Sequence, residues 1–412
     1  MRFDFGFYSS LLLIFFVHGL VYSVLLYRKA IRNETPSDKW LSLFLLLCIL
    51  YITPWMVGFA GWYDNQPYRD ILFYVPFQQL FFIGPAMFFY MQSLLNPSFR
   101  FGKKEWLHLV PGFLYLLYSI AAVVTDKLVL NEYYFLASGA DPDFDTWYQV
   151  AGHVSMLVYL LLSLRYYNLY KKLMVHVVSY ADLVLFKWIR SFLYAFLIML
   201  IIRVAFYIAP LIPGYLEMRY MGPWWGYFSF AIVFYYIAIT GYANSIETKV
   251  PFRLNLLTYK PSLLLQYKED NRAGADPVEE AEIIEINDPP TEKREDDFLL
   301  AAWKPKIIAL LEQEKAWQDP ELSLTQVARQ LHTNPSLLSK IINQGFGLNF
   351  NDFINHYRIE AVKEMLGKGE HKQQTLLGIA FECGFNSKAT FNRAFKKATG
   401  LSPKEWTQQT NG

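Results

Sequence analysis

Seven apolar stretches recur before residue 246, at about residues 5–27, 40–60, 71–95, 106–124, 147–164, 192–209 and 224–243. Roughly 20 apolar residues cross the hydrocarbon core of a bilayer as a helix. Seven such runs are too many for the buried helices of one soluble domain. Tryptophans sit at many of their ends (Trp40, Trp62, Trp106, Trp147, Trp224, Trp225), where an interfacial aromatic belt belongs. Composition agrees: 54% of the chain is hydrophobic and 18% charged, against about 25% charged in an ordinary soluble protein.

The overall charge of +2 hides three unlike segments. Residues 1–260 carry 20 basic against 14 acidic side chains (+6), residues 261–297 carry 4 against 12 (−8), and residues 298–412 carry 14 against 10 (+4). Alternate turns of the apolar half are basic: Arg28, Lys29, Arg32 and Lys39, then Arg100, Lys103 and Lys104, then Arg165, Lys171, Lys172, Lys187 and Arg190. The other side offers Arg2, Arg69, Lys127 and Arg219, and its longest loop is acidic (Asp126, Glu132, Asp141, Asp143, Asp145). The positive-inside rule then puts the N-terminus outside and the C-terminus in the cytoplasm. The start of the chain has neither the basic n-region nor the cleavage site of a signal peptide, so the first run reads as a retained helix.

Polar groups at membrane depth are costly and functional by default. The candidates for sensing a signal are His18, Gln78, Gln79, His153 and Arg203. The plainer reading is that Arg203 snorkels from its helix end and the others join helices by hydrogen bonds. Pro54, Pro76, Pro85 and Pro111 predict kinks. Cys48 and Cys383 lack metal-site spacing and are expected to stay unpaired. The sequence contains no zinc-protease, nucleophile-elbow or phosphate-loop pattern, so no enzyme, metal or cofactor is expected.

Past Tyr242 the chain turns polar, and residues 247–297 read as an acidic, turn-rich, flexible cytoplasmic linker. Helical periodicity resumes in residues 298–412. Helices are expected at about 304–315, from Ser323 to near His332, at 335–344, 349–366, 375–383 and 387–398, the last closed by Gly400. Ser323 with Gln326 makes a capping box, and Asn334 precedes a proline at the first helical position. Two helix–turn–helix units thus flank one long helix. Superposing them pairs Asn334 with Ser387 as caps, Leu338 with Phe391 and Ile342 with Phe395 as core, and Lys340 with Arg393 as cations. The long helix, at 1.5 Å per residue, would be about 27 Å long. One turn of B-DNA is about 34 Å, so both second helices could enter successive major grooves.

Phe353-Ile354-Asn355-x-Tyr357-Arg358, Ala361, Leu366, Ile379-Ala380, Cys383-Gly384-Phe385-Asn386-Ser387, Phe391-Asn392-Arg393-Ala394-Phe395-Lys396-Lys397, Gly400 and Ser402-Pro403 resemble the AraC/XylS-type DNA-binding domain of bacterial transcriptional regulators. The resemblance covers about a quarter of the chain, from Trp303 to Thr407. What precedes it is similar to a membrane-anchored subgroup, with no cupin-like sugar-binding domain. The resemblance implies base-edge contacts by Ser336, Leu337, Ser339, Lys340 and Asn343 on the first recognition helix. On the second it implies Lys388, Ala389, Thr390, Asn392 and Arg393, with Lys396 and Lys397 toward phosphates. Arg and Lys can donate to guanine and Asn can pair with adenine.

The expected fold is all-α: a seven-transmembrane-helix bundle (1–246), the linker (247–297) and a soluble double helix–turn–helix domain (298–412). The expected protein is a multi-pass regulator of a bacterial inner membrane that couples a membrane or extracytoplasmic signal to promoter DNA. Its partners would be double-stranded DNA, the lipid bilayer, RNA polymerase, an unknown small-molecule or membrane signal and, because +4 is modest for a nucleic-acid binder, a second copy. The rival reading is a transporter or channel with a regulatory tail, and a third is proteolytic release of the tail.

Overall fold

The structure, a computed structural model, describes residues 4–96, 99–179, 185–209, 221–243, 252–253, 263–266, 281–285 and 293–410. They divide into two compact units, Met1–Tyr167 with Lys187–Lys249, and Asn168–Phe186 with Val250–Gly412.

The first unit is built from α1 (Phe7–Arg32), α2 (Pro36–Gly58), α3 (Tyr68–Tyr74), α4 (Leu80–Leu95), α5 (Lys103–Trp106), α6 (Val110–Val123), α7 (Thr146–Val177), α8 (Leu185–Ile208) and α9 (Met221–Ala243). The end of α7 and the first residues of α8 belong to the second unit. Small residues let α1 lie close against α2 and α9. A Cβ on Gly19 would lie 2.8 Å from Phe234 and 2.9 Å from Ile49. The hydroxyls of Ser23 and Ser42 donate to each other's backbone carbonyls at 2.9 and 2.7 Å, the small-residue and polar contact that joins apolar helices.

Six helical stretches among the described residues are long and apolar enough to cross a membrane: α1, α2, Lys103–Val129, Thr146–Lys172, Trp188–Ile208 and Pro223–Ala243. The third of the seven expected runs is different. It breaks at Pro76 into α3 and α4 with a non-helical stretch between them. At 1.5 Å per residue α4, with 16 residues, is about 24 Å long, short of the ~30 Å hydrocarbon core. α4 is apolar around nearly its whole circumference and almost entirely buried, as a helix enclosed by others must be. The outward residues of the surrounding helices are apolar at helical spacing: Val17, Val21 and Val24 on α1, Leu114, Leu117 and Ile120 on α6, and Val154, Leu157, Val158 and Leu161 on α7. Of the expected kinks, Pro54 and Pro85 lie inside α2 and α4. Pro111 opens α6 instead, where its missing N–H costs nothing.

In the stretch expected to be linker, three short strands pair: β1 (Phe252–Arg253), β2 (Leu263–Gln266) and β3 (Ala281–Glu285), ordered β1-β3-β2, with β1 parallel and β2 antiparallel to β3. The rest of residues 247–292 lie outside the described residues.

The second unit continues with α10 (Lys293–Gln313), α11 (Leu324–Gln330), α12 (Pro335–Phe346), α13 (Phe350–Gly367), α14 (Leu376–Glu382), α15 (Lys388–Thr399) and α16 (Pro403–Thr410). Helix starts follow local chemistry. The Ser323 Oγ accepts from the Gln326 N–H at 3.3 Å while Gln326 Oε1 accepts from the Ser323 N–H at 2.6 Å. Asn334, Asn349, Thr375 and Ser387 each cap the next helix through a side-chain oxygen, each cap contributing about 1 kcal/mol. Leu338, Ile342, Phe353, Ile354, Val362, Ile379, Ala380, Phe391 and Phe395 fill the core. The helix α16 was not foreseen. Its signal was present as a second capping box, with Ser402 N–H donating to Glu405 Oε2 at 2.7 Å and Glu405 N–H to Ser402 Oγ at 3.3 Å.

Candidate nucleic-acid interface and a buried polar network

Each helix–turn–helix pairs a short helix (α11, α14) with a longer second one (α12, α15). Ala328 of α11 and Ala380 of α14 are buried, as are the paired core residues Leu338 and Phe391, Ile342 and Phe395. That anchors one face of α12 and of α15 and turns the other outward. On α15 the outward face holds Lys388, Ala389, Asn392, Arg393, Lys396 and Lys397, all exposed. Lys397 pairs with Asp352 of α13 at 2.6 Å. Thr390 is placed elsewhere than expected. It is 2% exposed, and its hydroxyl accepts from the cap Ser387 at 3.0 Å, so it belongs to the helix start and not to the outer surface.

The outward face of α12 is less available. Leu337, Lys340 and Asn343 are half-buried, and Asn343 Nδ2 donates to Ser339 Oγ at 3.4 Å. Ser339 is only 6% exposed, contrary to its expected role at a base edge. The side chain of Ser336 lies outside what is described.

Arg358, part of the motif that carries the resemblance, is internal. It is 1% exposed. Its Nε donates to the Trp317 carbonyl at 2.8 Å and its Nη2 to the Asp319 carbonyl at 2.7 Å. Burial pulls its guanidinium down to about 10, still charged at neutral pH. Cys383 is a free, packed thiol, pushed up to about 12 by burial.

In the first unit three of the five candidate signal residues converge on Gln149, which sequence reading passed over. Gln149 Nε2 donates to Gln78 Oε1 at 2.6 Å, and its Oε1 accepts from Arg203 Nη2 at 2.7 Å. His153 Nδ1 donates to the Gln149 carbonyl at 2.5 Å. The spacing of Gln149 and His153, one turn apart on α7, was the available signal. Gln78 Nε2 donates to the Tyr227 hydroxyl at 3.1 Å. Gln79 only closes a local turn onto the Pro76 carbonyl. His18 is exposed and donates to the Ile14 carbonyl of its own helix at 2.8 Å, outside the network.

The network surrounds the break between α3 and α4. Buried backbone that leaves the helix needs internal partners, and Asp143 supplies one: its Oδ2 accepts from the Gln78 N–H at 2.8 Å and its Oδ1 from the Tyr115 hydroxyl at 2.8 Å. Asp141 accepts from the Tyr63 hydroxyl at 3.0 Å. Burial and the neighbouring Asp143 push the Asp141 carboxyl up to about 7, and burial pushes Asp143 up to about 6. A cavity of about 750 Å³ lies beside them, lined by Trp55, Phe59, Tyr63, Arg69, Asp141 and Phe144 among others.

Residues 327–409 match a family described as a helix-turn-helix domain. Over 91 residues the chain is 32% identical to the uncharacterized HTH-type transcriptional regulator YtdP of Bacillus subtilis (strain 168), covering 22% of this chain and 11% of that one. It is 35% identical over 86 residues to an uncharacterized HTH-type transcriptional regulator of Staphylococcus aureus (strain COL), covering 21% of this chain and 11% of that one. To YijO of Escherichia coli (strain K12), also an uncharacterized HTH-type transcriptional regulator, it is 32% identical over 88 residues, covering 21% of this chain and 30% of that one. The chain therefore spans only about a tenth to a third of the length of these relatives. No solved structure matches it. The matched segment, with its two capped helix–turn–helix units about one central helix, places the C-terminal domain of this chain in the AraC-type helix-turn-helix family of transcriptional regulators.

Proposed function

We propose that the chain is a membrane-anchored, non-enzymatic transcriptional regulator, in which a bundle senses a membrane or extracytoplasmic signal and the AraC-type domain binds promoter DNA. The observation that carries this reading is the union, in one chain, of that domain with helices of spanning length whose outward faces are apolar. An apolar surface of that extent is not stable against water. With α3 and α4 together counted as one crossing, there are seven crossings. The basic turns then favour an outside N-terminus and a C-terminal domain in the cytoplasm of a bacterium, beside the chromosome.

In this reading Lys388, Ala389, Asn392 and Arg393 of α15 meet base edges, with Lys396 and Lys397 at phosphates. On α12, Ser336, Leu337, Lys340 and Asn343 make the second contact. Recruitment of RNA polymerase and pairing with a second copy belong to the same proposal. The signal would act by differential affinity for two arrangements of the bundle, with Gln78, His153 and Arg203 within the element that changes.

The test is binding of the intact protein, in lipid nanodiscs, to genomic fragments at rising salt. We expect specific binding that weakens steeply with salt. Failure to bind any fragment at low salt, or reporter fusions that put Gly412 on the outer side, would sink the proposal.

One observation favours a second reading. Discontinuous helices around buried polar groups are where many transporters bind substrate, and the α3–α4 break has that form. Substrate uptake that survives Arg393→Ala in cells would support it.

A further inference from the structure

The second unit includes a segment that the helix-turn-helix match does not cover. The helix α7 is continuous, with residues 146–167 in the first unit and the remainder in the second. Directly after its last residue, Val178 pairs antiparallel with Ser323. Ser179 N–H and Oγ both donate to the Leu322 carbonyl, at 3.1 and 2.8 Å. Val178 and Ser179 are buried.

The docking point is not a neutral one. Ser323 is the residue whose hydroxyl caps α11, the first helix of the first helix–turn–helix. The Ser179 hydroxyl in turn accepts from Arg358 Nη2 at 3.1 Å. One buried guanidinium on the central helix α13 therefore holds the loop before α11, through Trp317 and Asp319, and the end of the bundle's helix, through Ser179. A buried charge needs its hydrogen bonds filled, so removing Ser179 leaves a donor of Arg358 without that acceptor. Nothing in a free-standing DNA-binding domain would supply this residue, which comes from the apolar half of the sequence, 179 positions before Arg358.

We propose that Val178–Ser179 are a coupling strap, through which α7 sets the position of the first helix–turn–helix against α13. The inference rests on the functional reading above and names how that site is regulated. The docked strap is the DNA-competent form. Two recognition helices gain from one duplex only if their spacing is held, and hydrogen bonds that hold α11 to α13 remove the ordering cost of binding. A bundle state that draws the end of α7 away releases Ser179, and the first recognition helix loses its register.

The test uses the full chain in lipid nanodiscs and the genomic fragments that the wild-type protein binds. Val178→Cys with Ser323→Cys should form an intramolecular disulfide on mild oxidation, the native Cys48 and Cys383 being buried. The oxidised form should bind DNA at least as tightly as the reduced form. Ser179→Pro, which removes the N–H and the hydroxyl together, should weaken binding by about tenfold, and the milder Ser179→Ala by about threefold, a coupling of ordinary size. Helix content is compared throughout, so that Ser179→Ala remains decisive should Ser179→Pro misfold. Absence of the disulfide shows that the strap is not seated and overturns the inference. So does a Ser179→Ala protein that binds as wild type, or one that binds more tightly, which would make the strap a restraint. Loss of all DNA binding by the wild-type chain overturns the functional reading itself, a result separable from the others.

Discussion

The two helix–turn–helix units share one plan and differ on the surface that matters. Both place an apolar stripe of the second helix on α13 and both open that helix with a side-chain cap. Yet α12 carries one cation, Lys340, while α15 carries four, Lys388, Arg393, Lys396 and Lys397. The turns differ too. The second residue past the end of the first helix has positive φ in both units, but it is His332 (φ 52) in the first and Gly384 (φ 81) in the second. A Cβ on Gly384 would clash with the Trp317 carbonyl oxygen. His332 is exposed and has room for its side chain. The core thus specifies the shape twice, whereas tight turn chemistry and charge are concentrated in the second unit.

The comparison can be broken in order of expected effect. Gly384→Ala should destabilise the domain by about 3 kcal/mol, since the strain of positive φ adds to a backbone clash. His332→Ala should stay within about 0.5 kcal/mol. Thermal melts of the two proteins settle this, and equal losses would show that the turns are equivalent. For DNA, Arg393→Ala should weaken specific binding by about 10- to 100-fold if it reads a base edge. Lys340→Ala should cost only about threefold, and Lys396→Ala should lower the salt slope by about 1 with little change in sequence preference. Titrations at several salt concentrations measure all three. An Arg393 effect no larger than that of Lys340 would refute the asymmetry.

The caps should behave alike. Asn334→Ala and Ser387→Ala should each cost about 1 kcal/mol, read from denaturant midpoints. A large excess for Ser387 would mean that its contact with buried Thr390 adds to the cap. The smallest effect is His332→Gly. It relieves a positive φ but loosens the unfolded chain, so its net should be within about 0.5 kcal/mol.

Much of the second unit was legible because its signals are local. Ser323, Asn334 and Ser387 each act on the N–H group three residues away, and the apolar stripes that identify α12, α13 and α15 repeat every three to four residues. Thr390 and Ser339 show the limit. The resemblance put both among the outward base-edge contacts, but the buried arc of a helix is set by its neighbours, and these two lie inside it. In the apolar half, hydropathy averages over a window and does not register the five-residue interruption at residues 75–79. Seven uniform crossings therefore became six long helices and a split segment.

The capped starts of α11 to α13 and of α15, and the division into an apolar and a more polar half, were decided by residue type and period along the chain, because such forces act within about one helical turn. The packed structure alone decided that Gln149 gathers Gln78 and Arg203, that Asp143 satisfies the opened backbone of Gln78, and that Arg358 joins Trp317 to Ser179. These partners stand between 41 and 179 residues apart. Most of their geometry exists only after the helices have packed, when a buried donor takes whichever acceptor the fold brings to it.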